Sequence, residues 1–200
     1  MQAKTGKLIK PHSDATADLI LDVAQELLQT RGYNGISYQD IAEQVGIRKA
    51  SIHHHFATKA ELGVKLLCRY RRQWHAFLAG VDESTAGPWE KFDQYLDPFR
   101  ATARTGDRAC LCGILGAEFA ALAPELQQEV QGFFRDNETW LAALLSNGRR
   151  SRQFRFQGDA ASEAAVIFAC LEGSLIVARA ARNPLQFDAV IVQLKGRLGR

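Results

Sequence analysis

Residues 41–59 read IAEQVGIRKASIHHHFATK, and the reading of this stretch decides the fold. Ser37 and Asp40, just upstream, approximate a capping box, so a short helix opens there with Ile41, Ala42 and Val45 on its inner face. Gly46 closes it, and a second short helix is predicted from about Lys49 to His55. Ile47 at the turn, Ile52 and Phe56 supply the matching apolar set. That fixes the second helix's direction and leaves Arg48, Lys49, Ser51, His53 and His54 on its outer faces. Two helices of this length joined by a tight turn form a helix-turn-helix. The three histidines do not suit metal chelation. Helical ligand pairs favour an i, i+4 spacing, whereas i+1 and i+2 splay the rings about 100° or 200° apart. A cationic outer face suits a phosphate-lined groove instead, and small Ala50 lets that face come close.

Outward from this centre the periodicity is helical almost throughout. Residues 1–13 are polar, contain Pro11, Lys4, Lys7 and Lys10, and are expected to be a flexible basic arm. From Asp14 a stripe of Ile20, Val23, Ala24, Leu27 and Leu28 marks a core-facing helix that Gly32 ends. Thr58 with Glu61 starts a longer helix to roughly Leu78, after which Gly80, Gly87 and Pro88 punctuate a break. Further helices are expected at about 88–105, 110–122, 124–147, 159–182 and 185–197, with Pro98 bending or interrupting the first. The fold class is therefore all-α. A three-helix head over 14–58 precedes a larger helical domain over 59–200.

Composition limits the alternatives. Two hundred residues suffice for a real core, and a net charge of +3 is too small for a bulk polyelectrolyte binder. Nucleic-acid contact must then be local and shaped. No apolar run of about 20 residues, as a membrane span needs, stands out. The N-terminus lacks a signal-peptide pattern. Four cysteines, Cys68, Cys110, Cys112 and Cys170, make no disulfide framework, so the chain reads as cytoplasmic with reduced thiols and no membrane partner. No Ser/His/Asp order, phosphate-cradling glycine loop or paired-carboxylate motif suggests an enzyme, and no cofactor or metal is implied.

The stretch ILDVAQELLQTRGYNGISYQDIAEQVGIRKASIHHHFATKAEL resembles the N-terminal domain of the TetR family of bacterial repressors, over about residues 14–62 without a gap. The resemblance implies a homodimer on a palindromic double-stranded DNA operator, released by a small-molecule effector bound in the C-terminal domain. Two positions depart from the family pattern. Arg48 stands where a capping Ser or Thr is usual, and His53 where an aromatic residue, most often tyrosine, is usual. Lys49, Ser51 and Arg48 are the candidates for base edges. Tyr38, His53, His54 and Lys59 are the candidates for phosphates, with Ser37 at the first helix's N-terminus able to join them. The fold does not set the sign of regulation, and a helical module that binds protein rather than DNA is the rival reading.

In the C-terminal region, residues 161–183 (ASEAAVIFACLEGSLIVARAARN) are apolar around most of the helix, with Ala165, Ala169 and Gly173 spaced by four. Such a helix must be covered on more than one side, which agrees with packing by a twin chain. An effector pocket is expected from Trp74, Phe77, Phe92, Tyr95, Phe99, Leu115, Phe119 and Trp140, anchored by Cys110, Glu118 or Glu172. The segment around Cys110, Leu111 and Glu118 also resembles a TetR subgroup that includes electrophile-sensing repressors. A thiol sensor built on Cys110 is thus the alternative of the same fold, with the helix N-terminus and Arg108 expected to lower that thiol's pKa.

Overall fold

The computed structural model describes residues 13–199; the basic arm expected over 1–13 lies almost wholly outside them. The described residues form nine α-helices and one 3-10 turn, with no strand. The head consists of α1 (Ser13–Arg31), α2 (Tyr38–Val45) and α3 (Lys49–His55). A long strut, α4 (Lys59–Glu83), leads from the head into α5 (Pro88–Thr105), α6 (Leu111–Ala117), α7 (Pro124–Arg150), α8 (Ala160–Ala180) and α9 (Leu185–Arg197).

The starts of these helices follow their caps. The Ser37 side chain accepts from Asp40 N, and the Asp40 carboxylate accepts from Ser37 N at 2.7 Å, completing the box. Thr58 accepts from Glu61 N, and Asp159 accepts from Ser162 N. Gly46 ends α2 at φ 76°, a conformation that only glycine adopts without strain. One continuous apolar core runs through the whole molecule. It joins Ile20, Ile41 and Ile52 of the head to Leu66 and Leu67 of α4 and then to Tyr95, Phe133 and Leu171.

Several boundaries differ from those expected. The strut continues past Gly80 to Glu83, because Val81 is buried and a lone glycine costs a helix only about 1 kcal/mol. Pro98 does not interrupt α5; the Thr102 hydroxyl donates to the Pro98 carbonyl at 2.9 Å. The expected 110–122 helix stops at Ala117, where Glu118 turns away and a 3-10 turn (Phe119–Ala121) follows. The expectation that no run is long and apolar enough for a membrane span is also corrected. By length and composition α8 qualifies, at a mean hydropathy of 1.7 over its best window. Its apolarity is used laterally, since α8 packs on α7, α9 and α5.

Candidate functional site

The head's surface is set by which way α3 faces. Ile52 is 0% exposed and Phe56 5%, while Arg48, Lys49, Ala50, His53 and His54 are exposed and Ser51 is half-buried. Arg48 occupies the N-cap with no side-chain cap bond, as its departure from Ser or Thr leads one to expect. His53 Nδ1 lies 3.3 Å from the Ala57 carbonyl, and its ring packs edge-on to Tyr38 at 4.7 Å between centroids. His55 is half-buried beside Phe56.

Two expected phosphate contacts turn inward instead. Tyr38 is buried, and its hydroxyl donates to the Phe56 carbonyl at 3.0 Å, bracing α2 against the end of α3. Burial, with Glu61 nearby, pushes the phenol up to about 12, so it remains a donor throughout the physiological range. Lys59 donates its ammonium to the carbonyls of Tyr33 and Ile36 and lies over the Tyr33 ring. These carbonyls belong to the loop after α1, which has no other helix to satisfy them. Burial holds the Lys59 pKa down, opposed by Glu118 and Asp40.

In the C-terminal domain Tyr70 and Trp74 of α4, Pro98, Phe99 and Thr102 of α5, Cys110, Phe133 and Leu175 line a small cavity of about 20 Å³. That is room for about one water, far below the range of about 300–1,000 Å³ usual for drug-sized ligands, so an effector bound there must widen it. Of the eleven expected pocket residues, Trp74, Phe99 and Cys110 reach this wall. Tyr95 sits behind it, touching Trp74 and Phe99. Phe77 meets Trp74 at 5.2 Å but also faces a separate outer groove. Phe92 packs with Trp89 and Phe154, away from the cavity. Leu115 is core, Phe119 lies in the 3-10 turn, and Trp140 stacks on Tyr95 while its Nε1 donates to Asp82.

Tyr70, Pro98, Thr102, Phe133 and Leu175 are absent from the expected set. The i, i+4 spacing of Tyr70 and Trp74 and the proline inside α5 were the available signals. Behind the wall, buried Asn137 takes the Trp74 Nε1–H and the Tyr95 O–H on one oxygen, each at 3.0 Å. Its Nδ2 donates to the Phe133 carbonyl at 2.8 Å.

The two acidic candidates separate. Glu118 does not face the cavity; its Oε2 accepts from the backbone N–H of Tyr33 at 2.7 Å and of Asn34 at 3.1 Å. Gly32, at φ 79°, makes room, since a Cβ there would come within 2.6 Å of Glu118 Oε1. At the other end of α6, Gln29 and Ala109 exchange two hydrogen bonds, Ala109 N to Gln29 O at 3.0 Å and Gln29 Nε2 to Ala109 O at 3.1 Å. The short helix beside the cavity is thus tied to the head at both ends.

Glu172 of α8, one turn before the wall residue Leu175, is not itself in the wall and stands behind Cys110. Its carboxylate is within hydrogen-bonding reach of Cys110 and packs on Gly113, where a Cβ would overlap Oε2. Its Oε1 is buried and has no hydrogen-bond partner. Burial pushes this carboxyl up to about 7, partly offset by the bond from Cys110. The Cys110 thiol shifts the other way from expectation. Burial and the adjacent Glu172 raise it well above the usual thiol range, while Arg108 pairs with Glu26 at 2.9 Å instead. Cys110 is therefore a neutral thiol at rest.

Comparison with known proteins adds to this geometry. Residues 20–64 match the family described as bacterial regulatory proteins, tetR family, and residues 89–194 match the tetracyclin repressor-like C-terminal domain. The HTH-type transcriptional repressor NemR of Escherichia coli K12 is 24% identical over 185 residues, covering 90% of this chain and 92% of that repressor. The crystal structure of a TetR family transcriptional regulator from Agrobacterium tumefaciens is 32% identical at a TM-score of 0.89, covering 94% of this chain and all of that one. A TetR transcriptional regulator from Legionella pneumophila is 26% identical at a TM-score of 0.83, covering 95% of this chain and 100% of that one.

Proposed function

The chain belongs to the TetR family of bacterial regulatory proteins, and from that premise we propose that it is a repressor whose α3 surface reads operator DNA and whose C-terminal cavity takes the effector. The observation that carries this is the orientation of α3. Ile52 is sealed into the head, so Arg48, Lys49, His53 and His54 have no other face to occupy. Lys49, Ser51 and Arg48 contact base edges in this reading, His53 and His54 reach phosphates, and Ser37 and Ala50 border the contact. Tyr38 and Lys59 brace the surface from behind.

Two heads are needed to read a palindrome, and they must meet major grooves about 34–36 Å apart. The face that would join two chains is exposed and apolar: Val166, Ile176 and Val177 of α8 and Leu185 and Val192 of α9. The stripe of Ala169 and Gly173 lies open on the same helix. Effector in the cavity moves the start of α6, and the Gln29–Ala109 and Glu118–Tyr33/Asn34 bonds carry that movement into the head. Tyr70 and Trp74 carry it along α4. To empty an operator the effector must favour the released state by several kcal/mol.

A gel shift with the DNA upstream of the protein's own coding sequence tests this. Affinity should fall with salt by about 0.9 log units per decade for each phosphate contact, and Lys49→Ala should weaken binding while leaving the fold intact. A protein-binding module would show neither effect. A second reading, thiol sensing, is favoured by one observation, that Cys110 lines the cavity. It requires that Cys110→Ser abolish release by an electrophile or peroxide.

A further inference from the structure

The last turn of α1 does not satisfy its own backbone. In a continuing helix the N–H groups of Tyr33 and Asn34 would close on the carbonyls of Gln29 and Thr30, but both go to the Glu118 carboxylate. The Gln29 carbonyl takes the Ala109 N–H at 3.0 Å instead. The Thr30 carbonyl takes the guanidinium of Arg179, in the last turn of α8. A cation suits that place, because the C-terminus of a helix carries partial negative charge. The bond spans a surface groove that Arg179 and Ile176 line together with Thr30, Gly106 and Asp107. Since α8 packs on α7, α9 and α5, its hold on α1 comes from this side chain reaching across rather than from interlocked faces.

Arg179 also stands at the edge of the exposed apolar face of α8. Ile176, one turn earlier, is 50% exposed, and Val177 beside it 57%. At the other end of the link, α1 packs on both α2 and α3, so a tilt of α1 moves the whole head. From this arrangement we infer that Arg179 is a positioning residue for operator binding. It fixes each head against the helix that joins two chains, and so sets the half-site separation that the dimer accepts. This rests on the proposed reading of α3 as the DNA surface and of α8 with α9 as the joining face. The ties through Ala109 and Glu118 come from the segment beside the cavity, whereas this one comes from the side of the second chain.

The test uses the full chain and the palindrome that it protects in the DNA upstream of its own coding sequence, with one base pair added or removed between the half-sites. Each change moves the half-sites by about 3.4 Å, and the parent should lose at least about tenfold in affinity on either altered site. Arg179→Gln, checked for an unchanged helical spectrum and dimer mass, should bind the native spacing about tenfold more weakly and discriminate less than about threefold among the three sites. Arg179→Lys, which keeps a charged donor, should recover most of the discrimination. An equal loss on all three sites in Arg179→Gln, as a merely structural residue would give, overturns the inference. So does a lysine variant no better than the glutamine one, a parent indifferent to spacing, or a glutamine variant that no longer dimerises. A parent that binds none of the upstream DNA removes the regulatory reading and the inference together. A parent that binds it, with Arg179→Gln behaving alike, removes the inference alone.

Discussion

Glu118 and Glu172 look alike in the sequence, each a lone carboxylate in an apolar helical run, and the fold gives them opposite surroundings. Glu118 sits at the end of α6 with two backbone N–H groups of the head on one oxygen. Glu172 is half-buried, with one carboxylate oxygen enclosed and bare. The first holds two parts of the molecule together; the second is destabilising where it stands.

The largest effect expected from breaking this contrast is at Glu172. Its carboxyl is raised in the folded protein, so the folded state keeps the proton to higher pH than the unfolded chain does. The stability held by the protonated form is full below the unfolded value of 4.5, falls as pH rises, and is lost by about 7. Glu172→Gln should therefore stabilise the protein by about 3 kcal/mol near pH 8 and hardly at all near pH 4, read by denaturant titration at both values. A substitution that destabilises at high pH would mean that the carboxylate already has a partner.

Glu118→Ala should act in the opposite sense. Losing two charge-assisted bonds at a partly exposed site costs about 1–2 kcal/mol, read by denaturant titration. It should also reduce the effect of cavity ligands on DNA affinity, because one of the two ties of α6 is gone. Unchanged coupling in that variant would put the transmission elsewhere.

Smaller still is Gly113→Ala. Alanine favours a helix by about 1 kcal/mol over glycine, yet here its Cβ meets Glu172 Oε2. The substitution should be neutral or unfavourable in the native protein and stabilising by about 1 kcal/mol once Glu172 is alanine, a difference that a double-mutant cycle measures. Least of all is Arg108→Ala. Its pair with Glu26 is exposed, so the loss is under about 0.5 kcal/mol, and the Cys110 thiol should titrate as before.

Much of this was legible before any coordinates. The apolar sets at Ile41, Ile52 and Phe56 and the caps at Ser37 and Thr58 place the head to within a residue or two, because local periodicity and local hydrogen bonds decide those features. Polar side chains with distant partners were not legible. Tyr38 bonds across 18 residues, Glu118 across 85 and Asn137 to Trp74 across 63, and sequence spacing says nothing of such pairings. The same limit explains the pocket. Large aromatic residues were found readily, but Phe92 and Phe99 differ only in which neighbours the fold puts beside them. The Cys110 thiol was misread for a related reason. A helix N-terminus acts through a short range, and full burial beside a carboxylate outweighs it.

The shared oxygen of Asn137 has a consequence for how the cavity can widen. Trp74, Tyr95 and, through its carbonyl, Phe133 are pinned to that one amide, so α4, α5 and α7 form a stiff jamb. On the proposed effector reading, the side left to yield is the opposite one, where Cys110 stands next to Ala109. On that reading a guest larger than the resting space would press on that side first, and the first backbone it would tug is Gln29.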